Sequence, residues 1–352
     1  QCFLGSSPQR PWHAAIFTPG VLRMWRACFI AGLVRVAAHT FPSQLRTELE
    51  TCSYEILMVD DRPWKRLNSL QAPYWVIGAA LNFAFAEQHG YGFHLVRPYS
   101  KKSREPRGHG PGWDRVMYLH DALNGSSQLA CKWILYLDCD AFLRSSSGVQ
   151  PLPRLLEHLF MKYPLSHNCS TSAIFAREEA MEFLNITRSA VPAGAKPLAP
   201  FVNAGVFFLR ADCPSAQDFL ESWLRAAAKV EKRRLWATWP AEQGILSEML
   251  VPGSYPPAAI PEERFSLSSS HAVAIVNMTE INSPWGRFIH HAWGSEATDG
   301  LLRHQAMTDA LLRIGAANPK IFMELCRGVL RSSSHWQRWN WPRTMESYAR
   351  IP

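Results

Sequence analysis

Apolar residues along this chain of 352 fall into short runs divided by polar, glycine- and proline-bearing segments. Runs rich in Val, Ile, Leu, Tyr and Phe predict strands at Tyr54–Val59, Phe93–Val96, Ala130–Leu137, Ala173–Ala176, Val206–Arg210, Ala272–Asn277 and Phe288–His291. Longer periodic stretches predict helices over 74–89, closed by Gly90, and over 113–123, 152–162, 215–230 and 241–250. Strands alternating with helices predict an α/β fold with a ligand site at strand ends, in a single domain. That domain is expected to cover 51–352. Residues 1–50 have a mixed pattern and are expected to form a stem or extra helices. Polar, glycine- or proline-bearing breaks at Asp60–Pro63, Lys101–Gly112, Ser145–Gly148 and 188–200 read as loops.

The predicted strand Ala130–Leu137 runs directly into Asp138-Cys139-Asp140. A buried strand ending in two carboxylates one residue apart projects both from its C-terminal end, where open α/β sheets bind ligands. The carboxylates repel each other unless a cation sits between them. A hard divalent ion shared with substrate phosphates, Mg²⁺ or Mn²⁺, is the natural partner. Downstream, Phe288–Gly294 (FIHHAWG) sets His290 and His291 at a strand end, and either imidazole could complete such a metal set. In Phe201–Arg210 (FVNAGVFFLR), Asn203 and Gly205 precede a phenylalanine-rich strand, Gly205 allowing close backbone approach and Asn203 offering donor and acceptor to sugar hydroxyls. Glu242 and Gln243 open a helix.

Composition narrows the chemistry. The net charge is +8, from 37 Lys and Arg against 29 Asp and Glu, which suits a polyanionic small ligand. No basic stripe is interleaved with aromatics, so no nucleic-acid partner is expected. The 14 tryptophans read first as core packing. Eight cysteines show no C-x-x-C pair, which argues against zinc while permitting disulfides. Sequons at Asn124, Asn168, Asn185 and Asn277 lean towards a secretory compartment. In the apolar stretch 24–38, Arg26 and Arg35 leave too few uncharged residues to span a bilayer, for which ~20 are needed. A membrane anchor is therefore expected upstream of Gln1.

The ordered set HGY (His89–Tyr91), GWDR (Gly112–Arg115), WILYLDCDAFL (Trp133–Leu143), NAGVFFLR, EQG and HHAWG resembles glycosyltransferase family 34 over roughly residues 54–294. That family includes fungal α-galactosyl- and α-mannosyltransferases and plant xyloglucan xylosyltransferases. The resemblance implies a GT-A fold, a Rossmann-like mixed sheet with flanking helices in a single catalytic domain, and a retaining transfer of a hexose or pentose to a glycan acceptor. It implies a nucleotide-sugar donor, a UDP-sugar ahead of a GDP-sugar, and Mn²⁺ or Mg²⁺. It also implies a type II membrane glycoprotein of the Golgi lumen, with room for homo- or hetero-oligomers. By position, Asp138 would contact the ribose and metal-bound waters, Asp140 would bind the metal, and His291 would be the third ligand, with His290 as the fallback. Asn203 and Gly205 match the family's N-x-G, and Trp113 and Arg115 match its W-x-K with Arg for Lys. Glu242 and Gln243 stand where the family has Asp-Gln, near donor sugar and acceptor. The acidic residues usual before N-x-G are replaced by Pro197–Phe201.

Three alternatives compete. One is a catalytically inactive relative that only binds a nucleotide sugar or glycan. Another is a nucleotidyl or phosphoryl enzyme, for which neither a P-loop nor a G-x-G-x-x-G fingerprint is present. The third is a haloacid-dehalogenase-type phosphatase, which wants Thr or Val where Phe142 stands.

Overall fold

The computed structural model describes residues 43–62, 73–98, 112–125, 132–144, 151–163, 165, 169–178, 201–230, 241–250, 273–283, 286–292, 306–313 and 336–339. The stretch 24–38, the loops at 101–111, 145–148 and 188–200, the sequons Asn168 and Asn185, and Trp293-Gly294 lie outside the described residues.

The described helices are α1 (Ser43–Thr51), α2 (Tyr74–His89), α3 (Gly112–Gly125), α4 (Leu152–Lys162), α5 (Pro214–Val230), α6 (Ala241–Leu250) and α7 (Met278–Ile281), with a further helical segment over 306–313. The strands are β1 (Ser53–Val59), β2 (Gly92–Pro98), β3 (Lys132–Leu137), β4 (Ala141–Leu143), β5 (Ala173–Glu178), β6 (Phe201–Arg210), β7 (Val273–Val276), β8 (Ile289–His291) and β9 (Trp336–Trp339). Seven of them form one sheet in the order β7-β5-β6-β3-β1-β2-β9, and β4 pairs with β8 in a second, two-stranded sheet. β1 pairs parallel with β2 and β3, β2 with β9, and β5 with β7; only β6 runs against its neighbours β3 and β5. The expected α/β architecture with a mixed sheet is what forms.

Apolar patterning explains how the helices cover the sheet. In α4 the buried set Leu152, Leu155, Leu156, Leu159 and Phe160 follows one helical face. α2 is different: every residue from Val76 to Ala86 is buried, so it is enclosed on all sides. Its predicted end is correct, because Gly90 takes the left-handed conformation at φ 70° and donates its amide to the Ala86 carbonyl. The main aromatic core lies where α3 and α5 meet the sheet. There Trp113 meets Trp223 edge-on at 6.2 Å, and Phe175 stacks on Phe207 at 4.7 Å.

Three strands depart from the expectation, while α1 lies where extra helices are one expectation. β6 starts at Phe201 and not at Val206, because the Asn203–Gly205 segment that reads as a turn is absorbed into the strand as a bulge. A separate strand, β4, restarts directly after the two aspartates. β9 adds an edge beyond the last predicted strand, and four residues on one partner leave little periodic signal.

Cys169 and Cys213 form a disulfide that ties the approach to β5 to the start of α5, and Cys52 is also disulfide-bonded. Among the described residues no helix is long and apolar enough to cross a membrane.

One ionic clasp holds α7 to α4. Glu280, only 4% exposed, accepts from His158 Nε2 at 2.9 Å and from Lys162 Nζ. Burial works to raise its carboxyl pKa, but the hydrogen bonds and charges of Lys162 and His158 outweigh this and hold it below 4.5. A depressed carboxyl contributes stability above its unfolded pKa and loses it as pH falls through the folded one. The Tm advantage of the native chain over Glu280→Gln is therefore expected at neutral pH and should shrink below about pH 4.3. Calorimetry from neutral to acid pH checks this, and an advantage unchanged across that range would refute it.

Candidate active site

The site is assembled by strand pairing around a single turn. After β3 the amide of Ala141 donates to the Asp138 carbonyl at 2.9 Å, so Asp138 and Asp140 leave the C-terminal end of the sheet. Asn82, fully buried in α2, holds the restart of the chain: its Nδ2 donates to the Ala141 carbonyl at 2.9 Å, and its Oδ1 accepts from the Leu143 amide at 3.2 Å. The β4–β8 register sets Ala141 opposite His291, and the Ala292 amide donates to the Asp140 carbonyl at 2.9 Å. On the other side Leu137 pairs with Val206, and the Asp138 amide donates to the Gly205 carbonyl at 2.7 Å. Three motifs remote in sequence thus become neighbours.

The bulge in β6 serves this junction. Phe175 pairs with Phe207 while Ala176 pairs with Asn203, leaving 204–206 out of the β5 ladder. The Gly205 amide donates to Asn203 Oδ1 at 2.7 Å. A Cβ on Gly205 would stand 2.4 Å from His291 Cε1 and 2.8 Å from Asp138 Oδ2, closer than such atoms approach. Gly205→Ala is therefore expected to displace both and to weaken Mn²⁺ binding by about 10–100-fold, as losses in the support of metal ligands do. Titration of Mn²⁺ by calorimetry or electron paramagnetic resonance checks this, and unchanged affinity would refute it.

One group among the described residues has the donors and the spacing for a metal ion. Ligand atoms of Asp138, Asp140 and His291 all lie within 4.8 Å of one another. His291 is buried; its Nδ1 is hydrogen-bonded to Asn282 Oδ1 and its Nε2 lies 3.1 Å from Asp140 Oδ1. A carbonyl oxygen only accepts, so Nδ1 donates to Asn282, and in a neutral ring Nε2 would then present its lone pair to a cation held with the carboxylates. A lone pair converging with two carboxylates is favourable around a cation. The two oxygens and one imidazole nitrogen fit Mn²⁺ or Mg²⁺.

The second element is a buried arginine bridge. Arg115 in α3 is 5% exposed and donates from Nη1 to Asp138 Oδ1 and from Nη2 to Glu242 Oε1, each at 2.6 Å. Burial opposes its charge, while Asp138, Tyr136 and Glu242 hold its pKa above the usual range. The Tyr136 hydroxyl also donates to Asp138 Oδ1, at 2.7 Å, and burial followed by the Asp138 charge keeps that phenol protonated. Asp138 Oδ1 is thus occupied by protein donors. Glu242 is seated against the first turn of α3: a Cβ on Gly112 would lie 2.1 Å from its Cδ. Gln243 Oε1 accepts from the Ala204 amide at 3.4 Å.

These groups line one cleft of about 380 Å³. Asp138, Asp140, Arg115, Glu242 and Gln243 share it with Asp60, Arg62 and Tyr74 from the end of β1 and the start of α2. The sequence-predicted residues therefore come together, with three qualifications. Trp113 is fully buried in the aromatic core against Trp223, so it supports α3 and does not line the cleft. Asn203 is 6% exposed, its side-chain oxygen accepts from the Gly205 amide within the bulge, and it is not among the residues that line the cleft. His290 faces away from His291, stacks on Phe142 at 4.8 Å and lies 3.3 Å from Arg144, which leaves His291 as the imidazole in the site. Burial, then Arg144 and His291, push the His290 pKa down to about 4.

No family model and no curated protein matches the chain. Among solved structures it is similar to a glycosyltransferase involved in glycosylation of the major capsid of PBCV-1, at 17% identity over 72% of this chain and 98% of that one, with a TM-score of 0.43. It is also similar to mouse xyloside xylosyltransferase 1 in its apo form, at 12% identity over 65% of this chain and 86% of that one, TM-score 0.33. A third is the galactosyltransferase LgtC in complex with donor and acceptor sugar analogues, at 11% identity over 73% of this chain and 95% of that one, TM-score 0.36.

Sequence reasoning missed several members of the site. Asp60 and Arg62 could have been found, because a buried strand ends in Asp60-Asp61 just as β3 ends in Asp138. Arg62 clasps Asp60 and lies over the Tyr74 and Trp75 rings at 4.9 and 4.8 Å. Asn82 and Asn282 gave no local signal, since one sits mid-helix and the other in a short turn. Cys139, between the two aspartates, is a buried thiol whose pKa is pushed well up by burial and then by Asp60, so it is no candidate nucleophile.

Proposed function

We propose that this chain is a metal-dependent, retaining glycosyltransferase of GT-A type, allied to family 34. It would move a hexose or pentose from a nucleotide-diphosphate sugar, a UDP-sugar ahead of a GDP-sugar, to a glycan acceptor. The observation that carries this reading is the convergence of Asp138 and Asp140, after β3, with His291, at the end of β8, beside the cleft that the Arg115–Glu242 bridge lines.

A bound Mn²⁺ or Mg²⁺ would supply Lewis-acid stabilisation of the departing diphosphate. Asp140 and His291 would hold it directly, while Asp138, tied through Oδ1 to Arg115 and Tyr136, keeps Oδ2 for metal-bound water or the ribose. Arg115 joins the carboxylates of Asp138 and Glu242 through one guanidinium. Glu242 and Gln243 are assigned to orient the donor sugar and to stabilise positive charge at the anomeric carbon. Glu242 is held by a guanidinium at 2.6 Å, which weakens it as a nucleophile. That favours acceptor attack on the leaving group's face over a covalent glycosyl intermediate.

We further propose a secretory-pathway setting, the Golgi lumen. The Cys169–Cys213 disulfide suits an oxidising compartment, and the sequon asparagines Asn124 and Asn277 are exposed.

The test is hydrolysis of UDP-galactose, UDP-xylose, UDP-glucose and GDP-mannose with Mn²⁺ and with EDTA. Mn²⁺-dependent cleavage of one donor is the expected result and names the sugar. Mn²⁺-dependent UDP or GDP binding without cleavage, even with glycan acceptors present, would favour an inactive relative. Neither cleavage nor binding would overturn the reading.

A further inference from the structure

Successive side chains of a strand point to opposite faces, so His290 lies behind the sheet that carries His291. A second cavity opens there, of about 310 Å³, between the β4–β8 pair and the helix over 306–313. Phe142 and Arg144 line it from the β4 side, His290 from β8, and Asp309 and Arg313 from the helix. None of these residues belongs to the cleft of the proposed transferase.

The lining gathers positive charge. Arg144 and Arg313 line the same cavity, and burial first and then the Arg313 charge lower the Arg144 pKa. Arg144 Nη2 lies 3.3 Å from His290 Nδ1; a guanidinium only donates, so Nδ1 accepts and the ring keeps its proton on Nε2. Phe142 fixes that ring by stacking at 4.8 Å and 25°. Asp309, exposed on the same helix as Arg313, is the one acidic residue among the described residues of the lining. Two guanidiniums drawn together at a concavity are relieved by a counter-anion, and their planar forks suit the oxygens of sulfate, phosphate or carboxylate. The volume exceeds what a bare oxyanion fills and reaches the lower end of small-molecule sites, ~300–1,000 Å³.

We propose that this cavity is an anion site, distinct from the metal-centred cleft, for an oxyanion group borne on a small body such as an acidic sugar. Arg144 and Arg313 are its charge partners and His290 its hydrogen-bonding wall. β4 and β8 form its floor, the same two strands that hold Asp140 and His291, so occupancy would brace the metal centre from behind.

The test is calorimetric titration of the EDTA-treated full chain with inorganic sulfate, inorganic phosphate, glucuronate and, as a neutral control, glucose. Saturable binding of at least one anion and none of glucose is expected. Glucuronate tighter than sulfate identifies an acidic sugar as the source, and sulfate or phosphate at equal or greater affinity identifies a free oxyanion; both support the site. Arg313 is exposed, so Arg313→Glu should fold, and it is expected to weaken binding about tenfold or more, as loss of a charged hydrogen-bond partner does. Asp140→Asn should leave the affinity unchanged. No saturation by any anion, saturation unaffected by Arg313→Glu, or saturation lost only in Asp140→Asn would each overturn the proposal. The titration needs neither metal nor donor, so its outcome is separate from that of the transferase assay.

Discussion

Asp140→Ala is expected to abolish metal-dependent donor cleavage while the protein stays folded. The backbone that positions residue 140 does not depend on its side chain: the Ala292 amide donates to the residue 140 carbonyl, and Asn82 holds the Ala141 carbonyl. What the substitution removes is the carboxylate facing His291 Nε2 at 3.1 Å. Loss of a direct ligand removes several kcal/mol of charge stabilisation as the diphosphate departs, a fall of about 10³-fold or more in turnover. Stability separates this from a folding defect. The native chain is expected to gain about 2.7 kcal/mol when Mn²⁺ is present at 100 times its dissociation constant, and the variant to gain little. Without metal the variant is expected to be as stable as the native chain or more so, because two neighbouring carboxylates no longer repel. Retained Mn²⁺-dependent turnover would sink the metal assignment, and a variant unfolded without metal would sink the claim that Asp140 is not structural.

Arg115→Met is expected to damage both fold and site. The guanidinium is buried and lies 2.6 Å from each of two carboxylates, Asp138 and Glu242. Removing one partner of a buried ionic network costs about 3–5 kcal/mol because the remaining charge is uncompensated. The Asp138 side chain is 33% accessible, which lets water take up part of the load and sets the expectation at the lower end, ~3 kcal/mol or about 6–10 °C in Tm. Arg115→Lys separates charge from geometry. It keeps the positive charge but not the fork that reaches both carboxylates at once, so it should recover part of the stability and little of the activity. Thermal unfolding of both variants beside donor cleavage reads the two effects. Native stability in Arg115→Met would show that the bridge is not what holds Asp138 and Glu242 together.

Much of the architecture was legible because hydrophobic patterning reports burial directly. α2, α4, α5 and the strands β1, β3 and β5 lie where apolar runs predicted them. The metal group was legible too, since Asp138 and Asp140 end a buried strand and His291 ends another. Other parts were illegible for physical reasons. The bulge in β6 reads locally as a turn, because Asn203 and Gly205 are turn residues wherever no neighbouring ladder claims them. Trp113 reads as a ligand contact beside Arg115, but two steps along a helix turn a side chain by about 200°, which sends Trp113 into the core while Arg115 reaches the cleft.

By itself the sequence determined the elements, the alternating α/β order, and the placing of two carboxylates and a histidine at strand ends. Each of these follows from local periodicity and from the identity of a few residues. Only the tertiary structure decided which histidine enters the site, that Arg115 joins Asp138 to Glu242, and that Asn82 and Asn282 hold the turn and the imidazole. Those outcomes depend on register between strands remote in the chain and on side-chain contacts across layers. A one-residue slip of β8 against β4 would exchange His291 for His290 without changing a letter of the sequence.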